Sequence, residues 1–148
     1  MILFKCTYDN CTTDDQYRHT PLICAAKYGH VEVVRVLLEG GANVEKANAN
    51  QWTALHAAAW NGHLEVGRLL LDWGAKVDPV DRWGDTPLHD AAQGGHLSVV
   101  KLLVERGADV RLKNNKGQTA TDVARSKGKT DVAEWLDSVS RGEEALNL

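Results

Sequence analysis

A spacing of 33 residues recurs along this chain, and it leaves few folds open. Thr20, Thr53, Thr86 and Thr119 fall on one comb, as do Ala25, Ala58, Ala91 and Ala124, and Gly29, Gly62, Gly95 and Gly128. A second set runs Gly41, Gly74, Gly107 and Ala42, Ala75, Ala108, with Val44, Val77 and Val110 close behind. Repetition at this length marks stacked units, each too small to bury its own apolar face. Neither a heptad nor a βαβ alternation produces these coincidences.

Residues 86–118 show how one unit is built. Thr86 supplies an N-capping hydroxyl, and Pro87 stands at the first helical position, where its missing N–H costs nothing. A short helix follows with Leu88, Ala91 and Ala92 on its apolar side, the paired alanines allowing close approach of a neighbour. Gly94-Gly95-His96 ends it, because glycine accepts the left-handed cap that reverses the chain. A second helix over about 97–106 carries Val99, Val100, Leu102 and Leu103, and Gly107-Ala108-Asp109 stops it. The Asn-, Lys- and Gly-rich stretch to Gln118 is expected to project as a β-turn.

Thr-Pro-Leu-His-Asp-Ala-Ala-Gln-Gly-Gly-His-Leu-Ser-Val-Val-Lys-Leu-Leu-Val-Glu-Arg-Gly-Ala-Asp-Val, residues 86–110, resembles the ankyrin repeat almost letter for letter. Residues 53–77 match nearly as well. Residues 20–44 match with Ile23 in place of the usual histidine, and 119–139 resemble a terminal repeat with Asp122 at that position and Arg125 replacing the second alanine. The resemblance covers about 15–139. It implies an all-α solenoid of stacked helix-turn-helix units with projecting turns or hairpins. The expected layout is an extension at 1–14, repeats at 15–47, 48–80 and 81–113, a capping repeat at 114–139, and a tail at 140–148.

Composition excludes several classes of function. The chain has 148 residues, 43% hydrophobic and 25% charged, which suits one packed domain rather than a disordered segment. Its net charge of -3 gives no pull toward phosphates or anionic lipid. Three cysteines, Cys6, Cys11 and Cys24, are too few and too odd for a disulfide framework, so reduced thiols are expected. Neither a signal peptide nor a membrane span is legible, and the expected location is cytoplasmic or nuclear.

Five of the six histidines (His30, His56, His63, His89 and His96) lie on the repeat combs, where an ankyrin-like fold implies structural hydrogen bonds to adjoining turns. Zinc lacks a second thiolate pair, and Gly94-Gly95 follows a helix without the strand and lysine of a phosphate loop. The recurrent threonines read as caps rather than nucleophiles. No enzyme, cofactor or metal is expected.

The tryptophans carry the functional reading. Trp135 is in register with Val36, Leu69 and Leu102 and reads as core, while Trp73 reads as a helix-end edge residue. Trp52 aligns with His19, Asp85 and Gln118; Trp83 with Tyr17, Asn50 and Lys116; Trp60 with Lys27, Gln93 and Ser126. Polar company at those positions predicts exposure. With Tyr28 they form an expected concave band of Tyr17, Tyr28, Trp52, Trp60 and Trp83, bordered by His19, Asn50, Asp85, Asp90 and Lys116. Exposed aromatics of this kind serve as interface anchors. The function expected is binding of another protein through the concave face and turn tips. The alternative is assembly, by homodimerisation or packing within a longer protein, through a first repeat that has no complete repeat ahead of it. Ile2-Leu3-Phe4 is expected to fold back over that end. Single-stranded nucleic acid is disfavoured because Asp81, Asp85 and Asp90 lie near the rings.

Overall fold

The computed structural model describes residues 17–142. Among the described residues eight helices follow one another in pairs: α1 (Pro21–Lys27) with α2 (Val31–Glu39), α3 (Ala54–Asn61) with α4 (Leu64–Asp72), α5 (Pro87–Gly94) with α6 (Leu97–Glu105), and α7 (Ala120–Ser126) with α8 (Thr130–Ser140). Among the described residues there is no strand. First helices stack on first helices and second on second, which makes two layers.

Sequence sets each start and stop. Thr20, Thr53, Thr86 and Thr119 all hold extended backbone at the N-cap, and each hydroxyl accepts the amide three residues on. In three of the four the third residue answers back to the cap amide: His56, His89 and, in the last unit, Asp122. Gly62 ends α3 at φ 73°, and a Cβ there would sit 2.5 Å from the His96 ring, so only glycine serves both the turn and the close approach. The alanine pairs 57–58 and 91–92 are wholly buried between the first helices, while Leu70, Leu103, Val66 and Val100 fill the seam with the second.

Three kinds of polar tie lock one unit to the next. His56 Nε2 meets the Asp85 carbonyl at 2.9 Å and His89 Nε2 meets that of Gln118 at 2.9 Å. His63 Nε2 reaches the Lys27 carbonyl and His96 Nε2 the Trp60 carbonyl, both at 3.0 Å. At the turn tips, amides of Ala49, Arg82 and Asn115 donate to the carbonyls of Tyr17, Asn50 and Trp83. The expected structural role therefore holds for these four histidines; His30 is exposed beside Tyr28.

Gly67 is an unforced weak point. It lies buried inside α4, where glycine costs about 1 kcal/mol against alanine. A Cβ there would meet Leu102 Cδ2 at 3.5 Å, an ordinary contact. Gly67→Ala should therefore raise stability by about 1 kcal/mol, read as a higher urea midpoint with an unchanged slope; a lower midpoint would show that the seam has no room.

Two expectations change at the front of the stack. Cys24 is buried in α1 and disulfide-bonded, which corrects the reading of three reduced thiols; Cys6 and Cys11 lie outside the described residues. Val36, expected as core by its register with Leu69 and Leu102, is 40% exposed, because among the described residues no earlier unit packs on α2. The proposed fold-back of Ile2-Leu3-Phe4 also falls outside the described residues, as does the tail beyond residue 142. Trp135 is half-buried against the core, with Lys101 Nζ 5.7 Å from its ring centroid, and Trp73 is exposed at the end of α4.

Candidate functional site

The turn tips are shaped by an acceptor side chain that recurs every 33 residues. Asn48 Oδ1 accepts the amides of Asn50 and Trp52, Asp81 Oδ1 those of Trp83 and Asp85, and Asn114 Oδ1 those of Lys116 and Gln118. Each loop thereby closes on itself and holds the side chain at its apex outward. Asn50, Trp83 and Lys116 occupy equivalent apex positions. Asn48 and Asp81 are buried, and their organising role went unread in the sequence although their spacing announces it.

Trp52, Trp60 and Trp83 come together. With Asp81, Asp85, Asp90 and Gln93 they line one pocket of about 300 Å³. Trp60 and Trp83 are open to solvent, at 43% and 52%. Trp52 differs from the expectation of exposure: it is half-buried against the core, and its Nε1–H donates to Asp90 Oδ2 at 3.1 Å. Asp90 is itself buried, so it forms the floor of the pocket rather than its border. Polar neighbours in the register masked this, because the position can hold a ring lying over the next unit as readily as a solvated side chain.

On the other side of Trp52 the aromatic run continues. The His19 ring stands edge-on to Trp52 at 6.3 Å and to Tyr17 at 5.9 Å. Asn50 accepts the Arg82 guanidinium at 3.2 Å on its Oδ1, which ties two tips together. Lys116 borders a further hollow with Trp83, Asp85 and Lys127. Tyr28 packs apart from this group, in contact with His30 and with Lys27 Nζ 5.5 Å from its ring centroid. The expected band thus runs from Tyr17 through His19 and Trp52 to Trp60 and Trp83.

Burial governs the electrostatics beneath the strip. It pushes the Asp90 carboxyl well above the usual carboxylate range, against the pull of the Trp52 hydrogen bond. Asp81 is raised for the same reason. His56 is lowered to about 4, desolvation outweighing its bond to the Asp85 backbone. Ligand atoms of His56, Asp81 and Asp90 lie within 4.8 Å of one another. They are already committed to the protein: both His56 nitrogens are bonded, to Thr53 and to the Asp85 carbonyl, and Asp81 Oδ1 holds two amides. A metal would have to displace those bonds.

Repeat, capping box and stacked pairs match a known family along the chain. The family model of ankyrin repeats, in three copies, matches residues 1–81 and 74–140. The chain belongs to the ankyrin repeat family. A Danio rerio protein named as a palmitoyltransferase, ZDHHC13, is 42% identical over 53 residues, which is 36% of this chain and 8% of that protein. The chain therefore spans a small part of that relative's length. Ankyrin repeats generally mediate protein–protein interaction and are typically non-catalytic. No helix among the described residues is long and apolar enough to cross a membrane.

Proposed function

We propose that this ankyrin stack binds a partner protein along the strip formed by Tyr17, His19, Trp52, Trp60 and Trp83 and the turn tips beside it. The observation that carries the reading is the convergence of Trp52, Trp60 and Trp83 on one pocket while two of the rings remain open to solvent. Indoles give large contact area with few torsions to freeze; the turns carrying Trp52 and Trp83 are already fixed by hydrogen bonds and Trp60 stands on a helix, so little ordering remains to oppose binding. Lys116 and Asp85 at the border set charge register. Replacing Trp60 and Trp83 together with alanine should weaken capture of the partner roughly a hundredfold, as removal of two aromatic anchors does, while the melting temperature stays within a few degrees. Partner recovery that ignores both substitutions would remove the strip from consideration.

A second reading has its own observation. At the front of the stack Pro21, Leu22, Val36, Leu37 and Ala42 line an apolar groove of about 490 Å³. A surface of this kind suits assembly, with a second copy or with another part of a longer protein, since among the described residues no earlier unit packs on this end. Mass in solution separates the readings, because a dimer that dissociates on Val36→Lys would place the groove at the interface between copies.

A further inference from the structure

The chain carries a net charge of -3, but its charges are not evenly mixed. The five ion pairs among the described residues all join an acid to an arginine: Glu32–Arg35, Glu65–Arg68, Asp72–Arg106, Asp109–Arg111 and Asp137–Arg125. Lysine takes part in none of them. Three lysines meet instead in the hollows that continue the strip past its indoles. Trp83, Asp85, Lys116 and Lys127 border one of about 470 Å³, and Trp60, Gln93, Gly94, Lys127 and Lys129 line the next, of about 310 Å³. Lys116 and Lys127 are exposed, and Lys129 is half-buried. From this arrangement we infer that the end of the strip nearest the last unit holds the acidic side chains of a partner protein segment whose apolar side chains lie on the indoles. The inference rests on the reading of the strip as the binding face and names the chemistry that docks there.

Lys129 separates this end from the rest of the stack. It stands in register with His63 and His96, whose Nε2 atoms are tied to the carbonyls of Lys27 and Trp60. Among the described residues the Lys129 side chain makes no such bond and no ion pair. Its stem lies along Gly95, where a Cβ would come 2.8 Å from Lys129 Cδ, and its ammonium borders the hollow with Trp60 and Gln93. Lys127 borders the same hollow, and among the described residues no acid lines it. Each ammonium keeps three donors, so an incoming carboxylate gains from both. Asp85 is the one acid among the described residues lining the wider hollow, and Asn114 already donates to its Oδ1 at 2.9 Å. Asp85 also lines the pocket that holds Trp52, and so sets a direction: acidic side chains are favoured beyond Trp83 and disfavoured before it. Single-stranded nucleic acid fits this pattern poorly, since it brings a phosphate with every base it stacks, whereas these lysines gather at one end of the ring row.

The test follows backbone amide and indole N–H resonances of the whole chain while an acetylated, amidated peptide of two leucines and four glutamates is added. Its counterparts carry glutamines or lysines in place of the glutamates, and oligo(dT) is the fourth probe. Saturable shifts with the glutamate peptide are expected at the Trp60 and Trp83 indoles and at the amides of Lys116, Lys127 and Lys129. That peptide should bind roughly tenfold more tightly than the glutamine peptide, the difference vanishing in about 0.5 M salt, and the lysine peptide should bind most weakly. Lys127→Gln with Lys129→Gln should reduce the glutamate peptide to the affinity of its glutamine counterpart. Lys116→Gln with Lys127→Gln alters exposed side chains alone and should narrow the same difference without touching the stem packed on Gly95. Equal affinity for the glutamate and glutamine peptides, or no shift with either, overturns the inference. So does tighter binding of oligo(dT), which would make this a face for nucleic acid. If these probes fail while capture of the partner still depends on Trp60 and Trp83, the strip stands and its acidic occupant alone falls.

Discussion

His56→Ala is expected to destabilise the fold by about 3 kcal/mol, from a cavity in a packed seam and from two polar groups left without partners. The side chain is wholly buried. Its Nδ1 accepts the Thr53 amide at 3.1 Å and stands 2.9 Å from the Thr53 hydroxyl, which leaves the proton on Nε2 to donate to the Asp85 carbonyl. One imidazole thus closes the capping box of its own helix and anchors the turn of the next unit. The terminal unit supplies the control. Asp122 accepts the Thr119 amide at 3.0 Å in the same box, but it is exposed and, among the described residues, ties no further unit to its own. Asp122→Ala should therefore cost only about 1 kcal/mol, the value of a cap. Urea unfolding of both variants checks the difference, and equal costs would mean that the bond to the next turn contributes nothing.

The same ring should make stability depend on pH in a defined direction. His56 is held at about 4 in the folded chain, against 6.5 in an unfolded one. Between those values the unfolded chain binds a proton that the folded chain refuses, so the contribution of a neutral His56 is complete above pH 6.5 and is lost as pH falls toward 4. The full window corresponds to about 3 kcal/mol. Asp78, Asp81 and Asp90 act in the opposite sense, because burial raises their folded values and acidification then favours the folded chain. A non-titrating comparison isolates the histidine. The stability advantage of the wild type over His56→Gln should shrink by about 3 kcal/mol between pH 7 and 4. An advantage that stays level across that range would place the folded value of His56 near its ordinary one.

Much of this was legible in the sequence, for reasons that particular residues make clear. The threonine, alanine and glycine combs report backbone requirements, namely caps, close helix approach and left-handed turns, which are strictly local and so repeat with the unit. His56 and His89 were readable as structural because their period ties them to the turn of the following unit. The strip was readable in outline, since Trp60 and Trp83 interrupt polar columns and are in fact open to solvent. Its floor was not. Asp90 and Trp52 are 38 residues apart, and their hydrogen bond joins neighbouring units at an offset the 33-residue alignment does not pair. Val36 shows the limit of register: the equivalent Leu69 and Leu102 are buried, whereas Val36 is exposed where, among the described residues, no earlier unit covers it.

The claim that matters most is that partners dock on the strip and not on the outer layer or the front groove. Hydrogen exchange on the chain alone and in complex with its captured partner tests this directly. Protection is expected in the tips and first helices, over residues 48–60 and 81–93, with α4 and α6 unchanged. Protection confined to the outer helices, or to residues 20–22 and 36–46 around the front groove, would contradict it.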